Sequence, residues 1–405
     1  MKILSVNAGS SSLKFQMYEM PEEKVLISGV FERIGLDSSL YTIKINGEKI
    51  KKEAILNNHK DAVRILIEEL LNNKVIKSLD EIKGVGHRVV HGGDKYAKST
   101  IITEDVIRTI DELSSLAPLH NPANLMGILA FKEEVPDAVS VAVFDTAFHQ
   151  TMPKESYLYA VPYEWFTNYG VRRYGFHGIS HDYLTQTLKK VLKNEKPNLI
   201  TCHLGNGGSI SAVKDGLCFD TSLGFSPNAG LVMGTRSGDI DSSIIPYIMN
   251  KTDKSLEEVM NDLSKKSGYL GISGISSDSR DVEEGIKNNN ERCILAQHLF
   301  VRRAIEYIAK YYVELGHVDA ICFAGGIGEN SISTRKEILT GLKCLGIKLD
   351  EKSNDVRGEF TLITTKDSSI PCYIIPTDEE VMIARDTYNF IGSLSNSVGG
   401  TKNWW

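Results

Sequence analysis

The chain has 405 residues, of which 41% are apolar and 24% charged, and its 46 basic and 52 acidic side chains give a net charge of −6. This composition is typical of globular proteins and excludes wholesale disorder. The length exceeds a single ordinary core, so two or three domains are expected. The acidic balance argues against a nucleic-acid partner and requires any attraction for an anion to be local.

The cysteines and the first residues bear on the compartment. The nearest two of the six cysteines, Cys202 and Cys218, are 16 residues apart, so no CxxC pair exists, and buried reduced thiols are expected. The opening apolar run is too short for a signal peptide, and no stretch approaches the ~20 apolar residues that span a bilayer. The sequence therefore predicts a cytoplasmic protein without a membrane partner.

Apolar and β-branched runs predict that the first part of the chain is rich in strands. The predicted strands are Lys2–Val6, Leu13–Tyr18, Val25–Phe31, Leu40–Ile45, Val85–His91 and Val139–Phe144. The spacing of apolar residues predicts helices over Asp61–Leu71 and Asn121–Phe131. Alternating strands and helices favour an α/β fold.

The second half repeats the opening pattern of a strand, a turn of small residues and a return strand. Leu199–Leu204 leads through 205–209 into Ile210–Val213, and Ser209 takes the place that Ser12 has in the first half. The later predicted elements are a helix over Arg292–Leu315, strands over Ala320–Phe323 and Tyr373–Ile375, and a helix over 381–391. We therefore predict two related α/β lobes, 1–148 and 149–380, with helix 381–391 packing back on the first lobe. A flexible tail containing Trp404 and Trp405 is expected over 392–405.

Three turns rich in glycine or serine, 7–12, 205–209 and 325–330, each follow an apolar strand. Such turns bring backbone N–H groups close to phosphate oxygens, although a single one is more often a plain chain reversal. Three in the same context favour a nucleotide site, but none matches the P-loop or the dinucleotide fingerprint. Ser10 and Ser12 lie in the first turn. Lys14 shares the face of Ser12, so it is either a phosphate ligand or a solvated lysine.

The segment Gly86–Gly93 contains an arginine beside a small apolar side chain. In a strand, Arg88 and Val90 point to the same side. A guanidinium next to a dry wall suits a short carboxylate with an alkyl group, whereas an ordinary ion-paired arginine is the alternative.

Other charged residues stand at the ends of predicted elements. Asp145 ends a buried strand, where open α/β sheets bind ligands. Arg236 lies in a glycine-bounded loop, which is either a ligand contact or a plain turn. Asp378, Glu379 and Glu380 follow a strand, and they are either a helix cap or ligands for Mg²⁺.

The segments Val6–Lys14 and Gly86–Gly93 resemble the two signature motifs of the acetate kinases, and the likeness extends from residue 1 to about 391. This family belongs to the superfamily of acetate and sugar kinases, heat-shock chaperones and actin. The resemblance implies two duplicated ribonuclease H-like (actin-like ATPase) lobes with an interlobe active-site cleft. It also implies a homodimer that transfers a phosphoryl group reversibly between ATP and acetate, giving acetyl phosphate and ADP. Mg²⁺, or Mn²⁺ in its place, would be the metal, and acetyl-CoA biosynthesis the setting.

The resemblance also implies roles for individual residues. It assigns Mg²⁺ to Asn7 and Glu379, the active-site acid to Asp145, and transition-state stabilisation to His177 and Arg236. Acetate would be bound by Arg88, Val90, Leu119, His120, Phe176 and Pro227. ATP would be bound by Lys14 with Ser10 and Ser12, and by His203, Leu204, Gly205, Asn206, Gly207, Asp278, Ser279, Arg280, Gly326, Ile327, Gly328, Glu329 and Asn330.

Two alternatives stay open at this point. A kinase of the same family for propionate or butyrate is the nearer one, although Val90 as a wall favours the shorter acid. A non-catalytic actin-like ATPase is the other, and it would have no need for Arg88 beside Val90. Ser279 stands where relatives commonly have a bulky apolar residue, so looser discrimination between nucleotide bases is expected.

Overall fold

The structure of the chain, a computed structural model, describes the backbone of residues 1–399 and the side chains as far as Leu394. Its strands are β1 (Lys2–Ala8), β2 (Ser12–Glu19), β3 (Lys24–Glu32), β4 (Leu40–Ile45), β5 (Glu48–Glu53), β6 (Ile82–Val89), β7 (Thr100–Ile101), β8 (Val139–Phe144), β9 (Leu199–Leu204), β10 (Gly208–Lys214), β11 (Leu217–Thr221), β12 (Ala320–Ala324), β13 (Thr361–Leu362) and β14 (Cys372–Ile374).

The α-helices of the same part of the chain complete the secondary structure. They are α1 (His59–Asn72), α2 (Glu104–Glu112), α3 (Asn121–Glu134), α4 (Lys154–Tyr157), α5 (Tyr163–Tyr169), α6 (Gly178–Leu192), α7 (Ile244–Thr252), α8 (Leu256–Lys265), α9 (Gly268–Ser273), α10 (Ser279–Lys287), α11 (Glu291–Leu315), α12 (Gly325–Asn330), α13 (Ile332–Gly341), α14 (Glu351–Asn354) and α15 (Glu379–Gly399). Among the described residues, none of these helices has the length and apolar character needed to cross a membrane.

Contacts divide the chain into two units. The first unit contains Met1–Phe148 together with the chain from Asp378 onward, and the second contains His149–Thr377. Each unit has its own sheet and its own buried core. Phe15, Phe31 and Phe131 lie in the first core, whereas Phe300 and Phe323 lie in the second.

The two sheets share a common strand order. The first runs β5-β4-β3-β2-β1-β6-β8-β7 and the second runs β11-β10-β9-β12-β14-β13. In both, an antiparallel hairpin (β1–β2 or β9–β10) is followed on the other side by two parallel strands (β6 and β8, or β12 and β14). The mixed α/β class and the internal repeat that the sequence predicts are therefore confirmed.

The close packing of α15 on β6 depends on glycine. A side chain built at Gly86 would come within 2.4 Å of Thr387 Oγ1 and 2.5 Å of Ile383 Cγ2, and one at Gly84 would meet Thr387 and Ile391. Only glycine at these positions lets the helix lie against the strand at this distance. The start of α15, which carries Glu379 and Glu380, is thereby held over β1 and β6.

We expect Gly86→Ala to lower the free energy of unfolding by about 1–3 kcal/mol, because the methyl group overpacks the contact between α15 and β6. Urea unfolding monitored by circular dichroism measures the effect. Gly392→Ala on the same helix is the matched control, since nothing lies within 4 Å of its added methyl group. That control should be neutral or slightly stabilising, because alanine favours helix. Equal stability of Gly86→Ala and the wild type would contradict this account of the packing.

Two predicted boundaries are corrected by the structure. The turn expected over 325–330 is the short helix α12, whose first N–H, that of Gly325, donates to Glu329 Oε1 at 2.9 Å. Glycine-rich sequence has low helix propensity, so composition alone predicts a turn there. Helix α15 continues to Gly399 rather than ending at 391, because no proline interrupts it and one glycine costs only about 1 kcal/mol. The expected tail is thus helical over 392–399, and Trp404 and Trp405 lie outside the described residues.

Candidate active site

The first unit contains a small polar cavity of about 120 Å³ at the start of α15. Its lining residues are Ser5, Asn7, Lys14, Arg88, Glu379, Glu380 and Ile383. Strand register explains the grouping: Asn7 pairs with Lys14 across the hairpin, and Ser5 pairs with Gly86, two residues before Arg88. The sequence predicts five of these residues. Strand pairing brings Asn7, Lys14 and Arg88 to one face of the sheet, and α15 packs Glu379 and Glu380 against that face.

Arg88 and Asp145 form a two-point ion pair. Arg88 Nε donates to Asp145 Oδ1 at 3.0 Å and Nη2 donates to Oδ2 at 2.6 Å. β6 and β8 run parallel with Arg88 opposite Val143, so Asp145, just past the end of β8, lies beside the guanidinium. Asp145 is 1% exposed. Burial lowers the pKa of Arg88, but the charges of Asp145, Glu379 and Glu380 outweigh it, so the net shift is upward.

Carboxylates at the start of α15 surround the same cavity. Burial raises the pKa of Glu379 to about 7, against the lowering effect of Arg88 and Lys14. Glu380 is ion-paired with Lys14. Asp378 Oδ1 accepts the N–H of Val381 at 2.9 Å, so the helix-cap alternative is confirmed for this residue. The predicted cluster therefore divides into one cap and two carboxylates that face the cavity.

The donors in this cavity fit a magnesium ion that is shared with a phosphate. Asn7 and Glu379 provide an amide oxygen and a buried carboxylate, and the buried hydroxyl of Ser5 has no hydrogen-bond partner among the described residues. Mg²⁺ takes one or two carboxylates and keeps several waters, and a water needs at least about 10–15 Å³ of such a cavity. Over the described residues, no cluster of three or more His, Cys, Asp or Glu side chains could hold a metal on its own. The fit is thus to an ion completed by substrate and water.

Two residues that the sequence analysis missed fix the strand ends around this cavity. Asn124 on α3 donates to the carbonyl of Ala8 at 2.8 Å and accepts the N–H of Val90 at 3.0 Å. His59, buried at the start of α1, contacts the carbonyl of Gly9 through Nε2 at 2.7 Å. Asn124 therefore joins the end of β1 to the residue that follows β6, and His59 holds the turn between β1 and β2.

The residues expected to bind the methyl group of acetate fall in both units. Val90, which is 7% exposed, Leu119, which is 71% exposed, and His120 belong to the first unit. Phe176, which is 3% exposed, and Pro227 belong to the second. Of these three residues of the first unit, Val90 is buried and stands two residues after Arg88, but it does not line the cavity that contains Arg88.

The second unit contains a larger cavity of about 630 Å³, within the range of small-molecule sites. Its lining residues are Gly205, Asn206, Ser277, Asp278, Ser279, Arg280, Glu283, Gly326, Ile327, Asn330, Ser331 and Arg357. The cavity brings together the second and third small-residue segments and the 278–280 segment, as the sequence analysis expects. A side chain built at Gly205 would come 3.7 Å from the backbone nitrogen of Gly326, so these two glycines lie side by side.

Several predicted nucleotide residues do not line this cavity. Glu329 turns inward, where Oε1 accepts the N–H groups of Gly325 and Thr377 at 2.9 and 3.0 Å. The carbonyl of Gly328 accepts from Arg335, and Leu204 is fully buried in the sheet. His203, Gly207 and the first-unit residues Ser10, Ser12 and Lys14 also lie outside the lining. A glycine-rich motif thus has an outer face toward the cavity and an inner face toward the protein, and the sequence did not separate the two.

His177 and Arg236 meet beside the glycine turn that follows β9. A side chain built at Gly207 would come 3.4 Å from Arg236 Nη1 and 3.6 Å from His177 Nε2. Arg236 Nη1 donates to the carbonyl of Pro227 at 3.1 Å, and no carboxylate of the described residues forms an ion pair with it. Burial lowers the pKa of Arg236. A partly buried guanidinium beside a glycine turn is suited to binding an anion.

A hydrogen-bonded chain orients His177, which has a left-handed backbone with φ 57°. The Oγ of Ser209 lies 2.9 Å from His177 Nδ1 and 2.7 Å from His181 Nε2. His181 Nδ1 lies 2.7 Å from Thr201 Oγ1, and burial holds the pKa of His181 well below its usual value. His181 and Thr201 were not predicted, although His181 follows His177 by one helical turn.

Comparisons with known proteins agree with this architecture. A family model described as the Acetokinase family matches residues 2–385. An acetate kinase of Bacillus velezensis is 54% identical over 387 residues, which cover 95% of this chain and 98% of that protein. The crystal structure of Porphyromonas gingivalis acetate kinase has a TM-score of 0.93 and 44% identity, covering 96% of this chain and 99% of that one. A propionate kinase structure from Francisella tularensis has a TM-score of 0.91 and 41% identity, covering 96% and 99%.

The fold is therefore the actin-like ATPase fold, and the chain is a kinase, a transferase that uses a nucleotide. The chain belongs to the acetokinase family.

Proposed function

We propose that this chain transfers the γ-phosphoryl group of ATP to acetate, reversibly, giving acetyl phosphate and ADP. A carboxylate oxygen of acetate forms the new bond to phosphorus, and the bond from phosphorus to the β,γ-bridging oxygen breaks. The observation that carries the proposal is the guanidinium of Arg88, fixed by buried Asp145, with the buried and apolar Val90 two residues further along the chain. The named relatives, acetate kinases at up to 54% identity, support the same substrate.

In the first unit, Arg88 binds the acceptor carboxylate and Asp145 orients Arg88. Acetate is already ionised near neutral pH, because carboxyl pKa values lie around 4. Asp145 is therefore not needed as a proton acceptor, and its two-point contact with Arg88 supports the orienting role. The Coulomb attraction of Lys14 and Arg88 offsets part of the repulsion between two anionic reactants.

Asn7 and Glu379 would hold Mg²⁺, with Mn²⁺ as an alternative ion. The ion supplies positive charge to the phosphate oxygens when it is bound. The protein contributes a fixed amide oxygen and carboxylate, and the close contact of α15 with β6 keeps Glu379 at that place.

In the second unit, the cavity of about 630 Å³ is proposed to bind ATP and ADP. Arg236 and His177 would donate hydrogen bonds to the equatorial oxygens of the transferring group, where negative charge accumulates in phosphoryl transfer. Their proximity to the Gly207 turn supports this placement, since the turn leaves room for an anion.

The direct test is formation of acetyl phosphate from ATP, acetate and Mg²⁺ by the purified chain, trapped as the hydroxamate. Acetyl phosphate equal in amount to the ADP released is the expected result. Release of ADP and inorganic phosphate without acetyl phosphate, at the same rate with or without acetate, would instead establish the actin-like ATPase alternative.

Propionate is the second candidate acceptor, because one close structural relative is a propionate kinase. Val90→Ala should raise the ratio of kcat/KM for propionate over acetate about tenfold, since one methylene in an apolar pocket is worth about 1–3 kcal/mol. The hydrogen bond from Val90 N–H to Asn124 is kept in this variant. Val89→Ala, on the opposite face of the strand, is the control and should leave the ratio unchanged. An unchanged ratio in Val90→Ala would remove Val90 from the acyl pocket.

The assembly and the cellular setting are proposed from the family resemblance. We propose a cytoplasmic homodimer without a nucleic-acid or membrane partner. Light scattering coupled to size exclusion measures the mass in solution, and the expected value is twice the 44.9 kDa of the chain. The mixed anhydride in acetyl phosphate is an activated acetyl donor for a thiol, which supports a role in acetyl-CoA biosynthesis.

A further inference from the structure

The nucleotide cavity of the second unit has an unusual lining. Among the described residues that line it, none is aromatic, and Ile327 is the one with an aliphatic side chain larger than a methyl group. A purine base normally requires a flat or apolar surface on at least one face. Two guanidinium groups, those of Arg280 and Arg357, are the planar side chains of this lining with full positive charge.

Arg280 is ion-paired with Asp278. Its Nε and Nη2 donate to Asp278 at 3.0 and 2.6 Å, and its side chain is 86% exposed. Arg357 is exposed as well, but no carboxylate of the described residues pairs with it, and its Nη1 donates to the carbonyl of Asn330 at the end of α12. Nη2 and Nε of Arg357 donate no hydrogen bond to the described residues.

The backbone around Arg357 is held rigidly against α12. Arg335, fully buried, donates from Nη1 to the carbonyl of Gly328 at 3.0 Å and from Nη2 to the carbonyl of Val356 at 2.8 Å. The N–H of Gly358 donates to the carbonyl of Glu329 at 3.0 Å. Gly358 is thus bonded directly to α12 and Val356 is linked to it through Arg335 of α13, so the backbone that carries Arg357 is positioned before any ligand arrives.

Two parts of this lining differ in character. Gly205 and Gly326 lie side by side, and a side chain built at Gly326 would meet nothing within 4 Å. Backbone approach of this kind suits phosphates. Asn330, to which Arg357 is bonded, lies one helical turn beyond Gly326 on α12, about 6 Å further at 1.5 Å per residue. Phosphates at the glycines would leave the nucleoside within reach of Arg357.

We propose that Arg357 binds the nucleotide by stacking its guanidinium plane on the purine base. The inference rests on the proposed nucleotide-binding role of this cavity, and it adds a residue outside the 278–280 and 326–330 segments. Stacking on the face of a base does not contact the edge groups that distinguish adenine from guanine, so it should increase the affinity for both nucleotides equally.

Titration calorimetry with ADP, GDP and tripolyphosphate, each with Mg²⁺, tests the proposal on the full chain, with competition against ADP for weak binders. Arg357→Met should weaken ADP and GDP binding equally, about five- to tenfold, and leave tripolyphosphate unchanged. Arg357→Lys should weaken the nucleotides similarly, because it keeps the charge and loses the plane. Arg302→Met is the control for a surface arginine, since Arg302 pairs with Glu306 on α11 outside the cavity.

Four results would overturn the proposal: unchanged ADP binding in Arg357→Met, an equal loss for tripolyphosphate, full retention by Arg357→Lys, or a loss confined to one base. Unchanged thermal unfolding of the variants shows that the fold is intact. Because binding is measured without acetate, absence of acetyl phosphate formation would overturn the proposed acceptor and leave this result standing. Absence of ADP binding to the wild type would overturn both.

Discussion

Arg236→Ala is expected to lower kcat for acetyl phosphate formation by about 10²–10³, the usual effect of removing one donor to a developing oxyanion. Arg236 lies beside the Gly207 turn and pairs with no described carboxylate, so its charge is available to an anion, which we propose to be the transferring phosphoryl group. KM for ATP should change much less than kcat, since the contact strengthens mainly in the transition state. Steady-state kinetics in the forward direction, with both substrates varied, measures the two parameters separately.

Two companion variants sharpen this result. Arg236→Lys keeps the charge without the planar fork and should fall between the wild type and Arg236→Ala. Arg302→Ala, an exposed and ion-paired arginine on α11, should leave kcat within about twofold, as surface pairs contribute little. A kcat for Arg236→Ala within threefold of the wild type would remove this residue from the catalytic group.

Asp145→Asn should lower kcat/KM for acetate by about 10²-fold or more, because a group that positions substrate loses about that much when it is misplaced. An amide at this position can accept only one of the two hydrogen bonds that Arg88 now donates, and its NH₂ group faces a second donor. Arg88 would then lose the orientation that presents it to the acceptor. Initial rates at varied acetate concentration, with saturating ATP, measure the effect.

Asp220→Asn is the matched control for this substitution. Asp220 is 3% exposed and pairs with Lys310 at 2.9 Å, so it is a buried, ion-paired aspartate of the second unit with no contact to the proposed site. It should lose stability without a comparable loss of kcat/KM. Turnover near the wild-type value in Asp145→Asn would exclude both the orienting role and the proton-acceptor role.

Much of the framework could be predicted from local sequence. The apolar run Val139–Phe144 is the strand β8, and Leu199–Leu204 is β9, each with the predicted bounds. Buried central strands have a clear signal, because both of their faces require apolar side chains. The internal repeat was also visible in the sequence, because each half begins with a strand, a small-residue turn and a return strand.

The residues that position the site could not be predicted, because their roles depend on pairing across long stretches of sequence. Asn124 joins Ala8 to Val90 from the middle of a helix, where an asparagine has no distinctive pattern. Arg335 looks like a surface arginine of α13, yet it is fully buried and bonded to the carbonyl groups of Gly328 and Val356, each next to a residue that lines the larger cavity. No motif or periodic pattern predicts a role for Arg357, and only the folded structure shows that it lies beside Asn330 in the cavity lining.

The shared oxygen of Ser209 constrains where hydrogens can sit in the second unit. A hydroxyl has one hydrogen, and this Oγ contacts His177 Nδ1 and His181 Nε2, so at least one of the two imidazoles must donate to it. If His181 alone donates, the serine hydrogen goes to His177 Nδ1, and neutral His177 carries its own hydrogen on Nε2. If His177 donates instead, its Nε2 carries a hydrogen only as the imidazolium. Whether His177 or only His181 donates to Ser209 thus decides if an uncharged His177 presents a lone pair or a hydrogen at the atom nearest the Gly207 turn.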